Sequence, residues 1–149
     1  MCRGPARIAG VRAPFEIVEH PADVGFIAYG AGLAELFANA ALAMMSLACA
    51  PEQIEERETR VIEATGADLE ALLYAWLAEI LAIADAEQLF FRRAEVQSLE
   101  LGFVRGVVYG ERYDKARHRA GTYIKAVTYH QLRVEQTPEG WRAQVYLDV

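Results

Sequence analysis

One stretch of this sequence predicts a long helix that packs on a sheet: DLEALLYAWLAEIL, from Asp68 to Leu81. Its apolar residues recur at spacings of three and four and form a wide stripe, the pattern of a helix with one buried face. These residues are Leu69, Leu72, Leu73, Trp76, Leu77, Ile80 and Leu81. Asp68 carries a side chain suited to an N-cap. We therefore expect the helix to begin after Asp68.

Two strands and a second helix are predicted on the N-terminal side. Phe15 to Glu19 and Val24 to Tyr29 are typical of short strands, and the sequence His20-Pro21-Ala22-Asp23 breaks the chain between them. A helix is expected between Gly32 and Pro51, because the apolar residues again share one face. Those residues are Leu33, Leu36, Phe37, Ala40, Met44 and Leu47.

The remaining segments are predicted to be strands. They are Gln53–Thr65, Glu95–Leu101, Phe103–Tyr109, Gly121–His130, Gln131–Gln136 and Trp141–Val149. In the last of them apolar and polar residues alternate, so one face is expected to contact the core. Pro138-Glu139-Gly140 predicts the turn before it. The order of predicted helices and strands along the chain favours an α+β fold. Two helices are expected to pack on a mostly antiparallel or mixed β-sheet, in a single compact domain over residues 15–149.

Length and composition fit one globular domain in the cytoplasm. The chain has 149 residues, of which 54% are hydrophobic. Its formal net charge of −6 argues against broad, sequence-independent binding to nucleic acid. Cys2 and Cys49 predict no disulfide framework. Residues 1–14 are expected to form a flexible tail and lack the apolar region of a signal peptide. The longest apolar stretch, Ala38 to Ala50, is too short to span a bilayer, so no membrane insertion is expected.

Two carboxylates meet at the end of the last predicted strand. Asp148 and the terminal carboxylate of Val149 are hard anionic groups, which bind Ca²⁺ or Mg²⁺ when a third oxygen ligand arrives from elsewhere in the fold. Asp23, on a tight loop between two strands, is the candidate for that third ligand. The alternatives are an acidic tail in water and an Asp23 that hydrogen-bonds backbone amides in its turn. The residues alone therefore indicate a candidate hard-metal site.

Lys125 and two histidines are further candidates. Lys125 lies among β-branched and aromatic residues, where a lysine either guards a sheet edge or balances carboxylates and contacts a phosphate. The histidines lack the spacing of a zinc site. His130 is expected to be a hydrogen-bonded, partly buried imidazole on its strand. His118 is expected in a solvated loop, whose functional interpretation is a small cationic patch.

Four ordered blocks of sequence carry a resemblance to a known family. They are His20-Pro21-Ala22-Asp23-Val24-Gly25, Gly110-Glu111-Arg112-Tyr113-Asp114 with His118, Lys125-Ala126-Val127-Thr128-Tyr129-His130, and Trp141-Arg142-Ala143-Gln144-Val145-Tyr146-Leu147-Asp148-Val149. These blocks closely resemble the signature blocks of the archease family, and the likeness runs from Phe15 to Val149. One departure is Pro21, which stands where the family commonly has threonine. Losing that hydroxyl would remove a hydrogen bond to a ligand carboxylate, whereas proline would stiffen the loop.

The resemblance implies an accessory protein and not an enzyme. Archeases are described as small cytoplasmic proteins that assist the GTP- and metal-dependent RNA ligase of tRNA splicing. They promote guanylylation of the ligase and so allow repeated turnover. By this resemblance, tRNA and GTP would be involved only through the ligase, and the oligomeric state stays open.

The resemblance also implies which residues carry the role. Asp23, Asp148 and Val149 would hold a divalent cation, with Ca²⁺ the ion expected to be seen and Mg²⁺ or Mn²⁺ as alternatives. Lys125 and His130 are the functionally important candidates, and no catalytic residue of the chain's own is expected.

Two other functions stay open. A stand-alone metal-dependent phosphoester hydrolase would use the carboxylates, the lysine and the histidines, but the sequence has no recognisable nucleophile or acid–base pair. A general chaperone or RNA-binding module is the other, and the net acidity weighs against RNA binding.

Overall fold

The computed structural model describes residues 7–8, 11–19 and 23–149. Of the motif that starts at His20, only Asp23 and the residues after it lie in this part of the chain. Within the predicted tail, Arg7–Ile8 (β1) pairs antiparallel with Val11–Arg12 (β2). The flexibility of residues 1–14 stays a prediction.

Two helices and eight further strands lie in residues 15–19 and 23–149, the described part of the domain. In chain order they are β3 (Phe15–Glu19), β4 (Val24–Gly30), α1 (Leu33–Ala48), β5 (Glu58–Thr65), α2 (Leu69–Glu87), β6 (Leu89–Glu100), β7 (Phe103–Arg112), β8 (Ala126–Val127), β9 (Arg133–Thr137) and β10 (Gly140–Asp148). A short 3₁₀ helix, Pro51–Gln53, lies between α1 and β5.

The eight strands form two antiparallel sheets. In the first, β4 lies between β3 and β10, and the other edge of β10 pairs with β9 along one half and with β8 at its end. The second sheet has the order β5-β7-β6. The predicted α+β fold is confirmed, and the described strands pair without any parallel ladder. β10 is the central strand of the first sheet.

Both helices contact both sheets, so one core joins the layers. α1 packs on β4 and β6, whereas α2 packs mainly on β5 and also reaches β8. The indole N–H of Trp76 donates to the carbonyl of Phe37 at 3.0 Å and links α2 to α1. A Cβ at Gly106 would lie 2.6 Å from the Trp76 ring, so β7 passes directly beneath the indole. Removing such an aromatic side chain typically costs about 3–5 kcal/mol.

The two helices are capped in different ways. The Asp68 carboxylate accepts a hydrogen bond from the backbone N–H of Ala71 at 2.8 Å, which confirms the predicted N-cap of α2. At the other end Gln88 adopts the left-handed conformation with φ 54°. The last carbonyls of α1 accept hydrogen bonds from residues far along the sequence. Ala48 accepts from the N–H of Gly121, and Leu47 accepts from the N–H of Thr122.

The predicted strand over Gly121–His130 is wrong for most of its length. Only Ala126–Val127 pairs as a strand, because the backbone before it bonds to the end of α1 and the backbone after it turns. Three other strands start at least two residues from the predicted position, and one of them is β9, which begins at Arg133 rather than Gln131. β5 begins at Glu58 rather than Gln53, and β6 begins at Leu89 rather than Glu95.

Candidate functional site

The end of β10 brings two predicted ligand residues together. Leu147 pairs with Val24 at the end of the antiparallel ladder between β10 and β4. Asp23 directly precedes Val24 and Asp148 directly follows Leu147, so the two aspartates flank the same end of this strand pair. Asp148 is exposed and Asp23 is half-buried. Sheet pairing therefore brings two aspartates that lie far apart in the sequence to the same end of the strand pair.

The short strand β8 places Lys125 on the other side of β10. Ala126 pairs with Asp148, and the backbone N–H of Lys125 donates to the Asp148 carbonyl at 2.8 Å. Lys125 is exposed, whereas Val149 is half-buried and packs against the core. The backbone of a cationic residue thus borders the end of β10.

Tyr146 orders the start of β4 from the same face of the sheet as Asp148. It pairs with Gly25, and a Cβ at Gly25 would lie 2.7 Å from the Tyr146 ring. The ring therefore lies directly over the Gly25 backbone, a contact that only glycine permits. Residues two apart on a strand share a face, so Tyr146 and Asp148 point to the same side.

Thr128 holds the segment after β8 against β10. Its backbone N–H and its hydroxyl both donate to the Tyr146 carbonyl, at 3.2 Å and 2.9 Å. The same hydroxyl accepts from the backbone N–H of His130 at 3.3 Å. The His130 ring lies 5.8 Å from the Tyr146 ring between centroids. This places His130 on the face that carries Asp148.

The environment predicted for His130 is wrong. The residue lies in a turn and is exposed, and it is not a partly buried imidazole on a strand. The turn forms because Gln131 adopts the left-handed conformation with φ 50°, which reverses the chain before β9.

The donor groups at this end of the sheet fit a hard cation. Asp23 and Asp148 carry carboxylate oxygens and Val149 carries main-chain oxygen, and oxygen is the ligand type of Ca²⁺, Mg²⁺ and Mn²⁺. Within residues 23–149 and the other described segments, no three His, Cys, Asp or Glu side chains form a metal-binding group. The site has two such side chains, so the third donor would come from the main chain of Val149. The metal role of these three residues stays a prediction.

A second polar cluster is buried around Glu111. Arg117 donates two hydrogen bonds to its carboxylate, at 2.8 Å and 2.9 Å, and the backbone N–H of Glu55 donates a third at 2.7 Å. Only 4% of the Glu111 side chain is exposed. The Arg117 guanidinium, more than any other group, holds the pKa of Glu111 well below its usual range, and the Glu55 amide and His118 add to this.

His118 belongs to this cluster, so its predicted place in a solvated, cationic loop is wrong. The residue is buried, with its Nε2 2.9 Å from Glu111. Its Nδ1 accepts a hydrogen bond from the backbone N–H of Asp114 at 2.8 Å. Because a backbone amide only donates, Nε2 must carry the ring proton and donate to Glu111. Both nitrogens of a neutral imidazole are then satisfied.

Sequence reasoning missed the roles of Tyr146 and Glu111. The alternation of β10 contained a signal for Tyr146, since it occupies the same face as Asp148. Glu111 gave no local signal, because its partners Glu55 and Arg117 come from separate loops.

Comparison with known proteins supplies the family. The model of the archease protein family matches residues 15–149, which include every residue of the candidate site. The chain belongs to the archease family. The match confirms the resemblance noted in the four sequence blocks.

Individual archeases are similar over nearly their whole length. The chain is 39% identical to protein archease of Methanosarcina mazei over 139 residues, which cover 91% of this chain and 95% of that protein. It is equally identical to protein archease of Pyrococcus abyssi, covering 91% of this chain and 98% of the relative.

Two solved structures share the archease fold. The solution structure of Methanobacterium thermoautotrophicum protein 1598 has a TM-score of 0.77 at 35% identity and covers 91% of this chain and 99% of that one. The crystal structure of a Thermotoga maritima archease, described as a possible chaperone, has a TM-score of 0.62 at 20% identity and covers 89% of this chain and 94% of that one. The latter likeness shows the fold alone. Neither helix of the described residues is long and apolar enough to cross a bilayer.

Proposed function

We propose that this archease is an accessory factor of the GTP- and metal-dependent RNA ligase of tRNA splicing. It promotes guanylylation of the ligase and allows multiple turnover, and it catalyses no reaction of its own. The observation that supports this most is the convergence of Asp23, Asp148 and Val149 at one end of β10, with Lys125 beside them. Membership of the archease family supports the same role.

The carboxylates supply an oxygen cage for a divalent cation. Asp23 directly precedes β4 and Asp148 ends β10, so the strand pair holds the two residues side by side. When bound, the cation would neutralise phosphate oxygens during nucleotidyl transfer to the ligase. Ca²⁺, Mg²⁺ and Mn²⁺ all suit such donors.

Lys125 and His130 complete the surface that would face the nucleotide. The backbone of Lys125 is bonded to Asp148, and its exposed ammonium would balance the charge of the carboxylates or contact a phosphate. His130 is exposed on the face that carries Asp148, so it is available to a partner. tRNA and GTP are engaged through the ligase, and we infer a cytoplasmic location from that role.

The test is multiple-turnover RNA joining by the purified cognate ligase, with limiting ligase, GTP and Mn²⁺. Wild type and an exposed control, Glu100→Gln at the far end of β6, should stimulate joining. Asp148→Asn should not, although the fold survives because Asp148 is exposed. Absence of stimulation by wild type, with the ligase shown to be competent, would overturn the proposal.

Two other outcomes would point to different functions. Metal-dependent phosphate release by the chain alone would favour a phosphoester hydrolase. Salt-sensitive RNA binding without the ligase would favour an RNA-binding module, since phosphate contacts weaken as salt rises.

A further inference from the structure

A groove lies between the C-terminal end of α2, the start of β6 and the loop 120–124. It has a volume of about 540 Å³. Its floor is apolar and is formed chiefly by Leu81, Ala84, Phe90 and Ile124. This volume lies within the range of about 300–1,000 Å³ that is usual for small-molecule pockets, so it has room for a few side chains of a partner. The groove is separate from the carboxylate end of β10, but Ile124 directly precedes Lys125.

The loop that forms one wall of the groove is firmly held. Gly121 and Thr122 bond to the last carbonyls of α1, and the N–H of Tyr113 donates to the Gln88 carbonyl at 2.8 Å. Between these points the buried His118 contacts Glu111 at the end of β7 and fixes the chain. An irregular loop is therefore anchored at both ends and in its middle.

Exposed aromatic side chains border the groove. Tyr123 is 66% exposed and Tyr113 is 43% exposed, although both adjoin an apolar floor. The Tyr113 ring packs edge-on against Phe90, with 5.3 Å between the centroids. Tyrosines beside a preformed groove are typical of residues that contribute most to protein binding.

Asp85 gives the groove its electrostatic character. Among the described residues that line the groove, it is the only charged one. It lies in the last turn of α2, which contains no basic residue, and the negative end of the helix dipole makes a carboxylate unfavourable there. No ion pair or hydrogen bond joins its carboxylate to another described side chain. A cation at this position would neutralise the Asp85 carboxylate and the partial negative charge at the end of α2.

We propose that this groove docks a short apolar segment of a partner protein, with a Lys or Arg side chain of that segment paired to Asp85. The apolar side chains of the segment occupy the floor between Leu81 and Ile124, and Tyr123 covers them. The inference rests on the proposed function only in taking the partner to be the RNA ligase. Docking here would bring the ligase alongside Lys125 and the carboxylates.

Charge favours a protein segment over RNA. An RNA strand would bring phosphates towards Asp85 and the carboxyl end of α2, on a chain with a net charge of −6. A basic, apolar segment instead offers the complementary charge and the apolar area.

The experiment measures the apparent Kd of the full chain for the purified cognate ligase. Asp85→Lys reverses the charge, and Tyr123→Ala removes an exposed ring, so neither variant should unfold the domain. Each should weaken binding by about tenfold, as expected for central interface residues. The matched controls are Glu79→Lys, exposed on α2 away from the groove, and Leu101→Ala, exposed at the β6–β7 turn. Both should change the Kd by less than about twofold.

A photo-crosslinking residue at position 123 then identifies the docked segment. The expected crosslink is to a ligase segment with apolar residues and a Lys or Arg, and changing that residue to Glu should restore binding to Asp85→Lys. Unchanged Kd values for both groove variants, or a crosslink only to RNA, would overturn the inference.

The failure of the inference is distinguishable from that of the proposed function. If wild type stimulates the ligase and the groove variants stimulate equally well, only the groove proposal is wrong. If wild type neither binds nor stimulates the ligase, the proposed function fails. The groove is then tested with the peptides acetyl-Leu-Lys-Leu-Phe-amide and acetyl-Leu-Glu-Leu-Phe-amide, by amide chemical shifts of Gln88 and Thr122. Shifts with neither peptide, or equal shifts with both, would overturn the groove proposal.

Discussion

The backbone N–H of Lys125 donates a hydrogen bond to the carbonyl of Asp148 at 2.8 Å. This bond fixes a cationic residue beside the end of β10, where Asp23 also arrives from the start of β4. Three separate segments thus meet through backbone pairing, which leaves the side chains of Lys125 and Asp148 exposed to a ligand or partner. The proposed cation site depends on this arrangement.

Replacing Asp148 by Asn should weaken binding of Ca²⁺ and Mn²⁺ to the isolated chain by about tenfold, since the ligand charge largely sets the affinity of such sites. Titration calorimetry measures the change. The thermal midpoint should stay the same, because Asp148 is exposed.

Two further variants test the individual ligands of this site. Asp23→Asn should weaken metal binding to a similar degree, whereas Glu100→Gln should leave it unchanged. Adding one glycine after Val149 displaces the α-carboxylate by about 3.3–3.6 Å and should also weaken binding. Equal affinity in wild type and in Asp148→Asn would contradict the cation site.

Glu111→Gln should lower the free energy of unfolding by about 2 kcal/mol. Breaking a fully buried ion pair costs about 3–5 kcal/mol, and the loss is smaller here because 36% of the Arg117 side chain is exposed. Urea denaturation gives the value. Glu63→Gln is the matched control, since its exposed pair with Arg105 should contribute less than about 1 kcal/mol. Equal losses in the two variants would show that the buried cluster has no special role.

Acid should destabilise wild type more steeply than Glu111→Gln. Arg117 lowers the pKa of Glu111 in the folded state, so below the ordinary Glu pKa of about 4.3 the unfolded state binds more protons. The stabilisation is complete above that pKa and is lost as the pH falls towards the lowered one. The urea midpoint, followed from about pH 6 to pH 3, measures this. Parallel pH profiles for the two proteins would contradict the depressed pKa.

The helices and the central strand were predictable because their signals are local. The apolar stripe and the Asp68 cap gave the start of α2, and the alternation of β10 gave its buried face, with Ala143, Val145 and Leu147 in the core. The candidate metal residues came from chain order and family resemblance. Their meeting at one end of β10 is visible only in the sheet register.

The predictions that failed depend on hydrogen bonds and strand register that the local sequence pattern does not show. Gly121 and Thr122 look like part of a strand, but their N–H groups satisfy the end of α1, which lies about half the chain away. The predicted start of β6, Glu95, is later than the observed start, Leu89, and a register shift between Phe91 and Arg93 interrupts the period-two pattern there. His118 looked solvated among charged residues, yet Glu111 and the Asp114 amide bury it.

Gly121→Ala should destabilise the domain by about 1–3 kcal/mol, the usual cost of an added methyl group without space. A Cβ at this position would lie 2.4 Å from the Leu47 carbonyl oxygen, a backbone atom of α1. Gly32→Ser is the control, because a Cβ there meets nothing within 4 Å and serine is a good N-cap for α1. Urea denaturation should show a loss for the first variant alone. An unchanged Gly121→Ala would mean that the loop is not anchored as described.

The most direct test of the accessory role is covalent guanylylation of the purified ligase, measured in a single turnover with labelled GTP and Mn²⁺. The ligase–GMP adduct should form faster with wild-type chain and with Glu100→Gln than with ligase alone. With Asp148→Asn the rate should fall to that of ligase alone, although this variant stays folded. Equal acceleration by wild type and Asp148→Asn would contradict the role of the carboxylate site. No acceleration by wild type would contradict the accessory function itself.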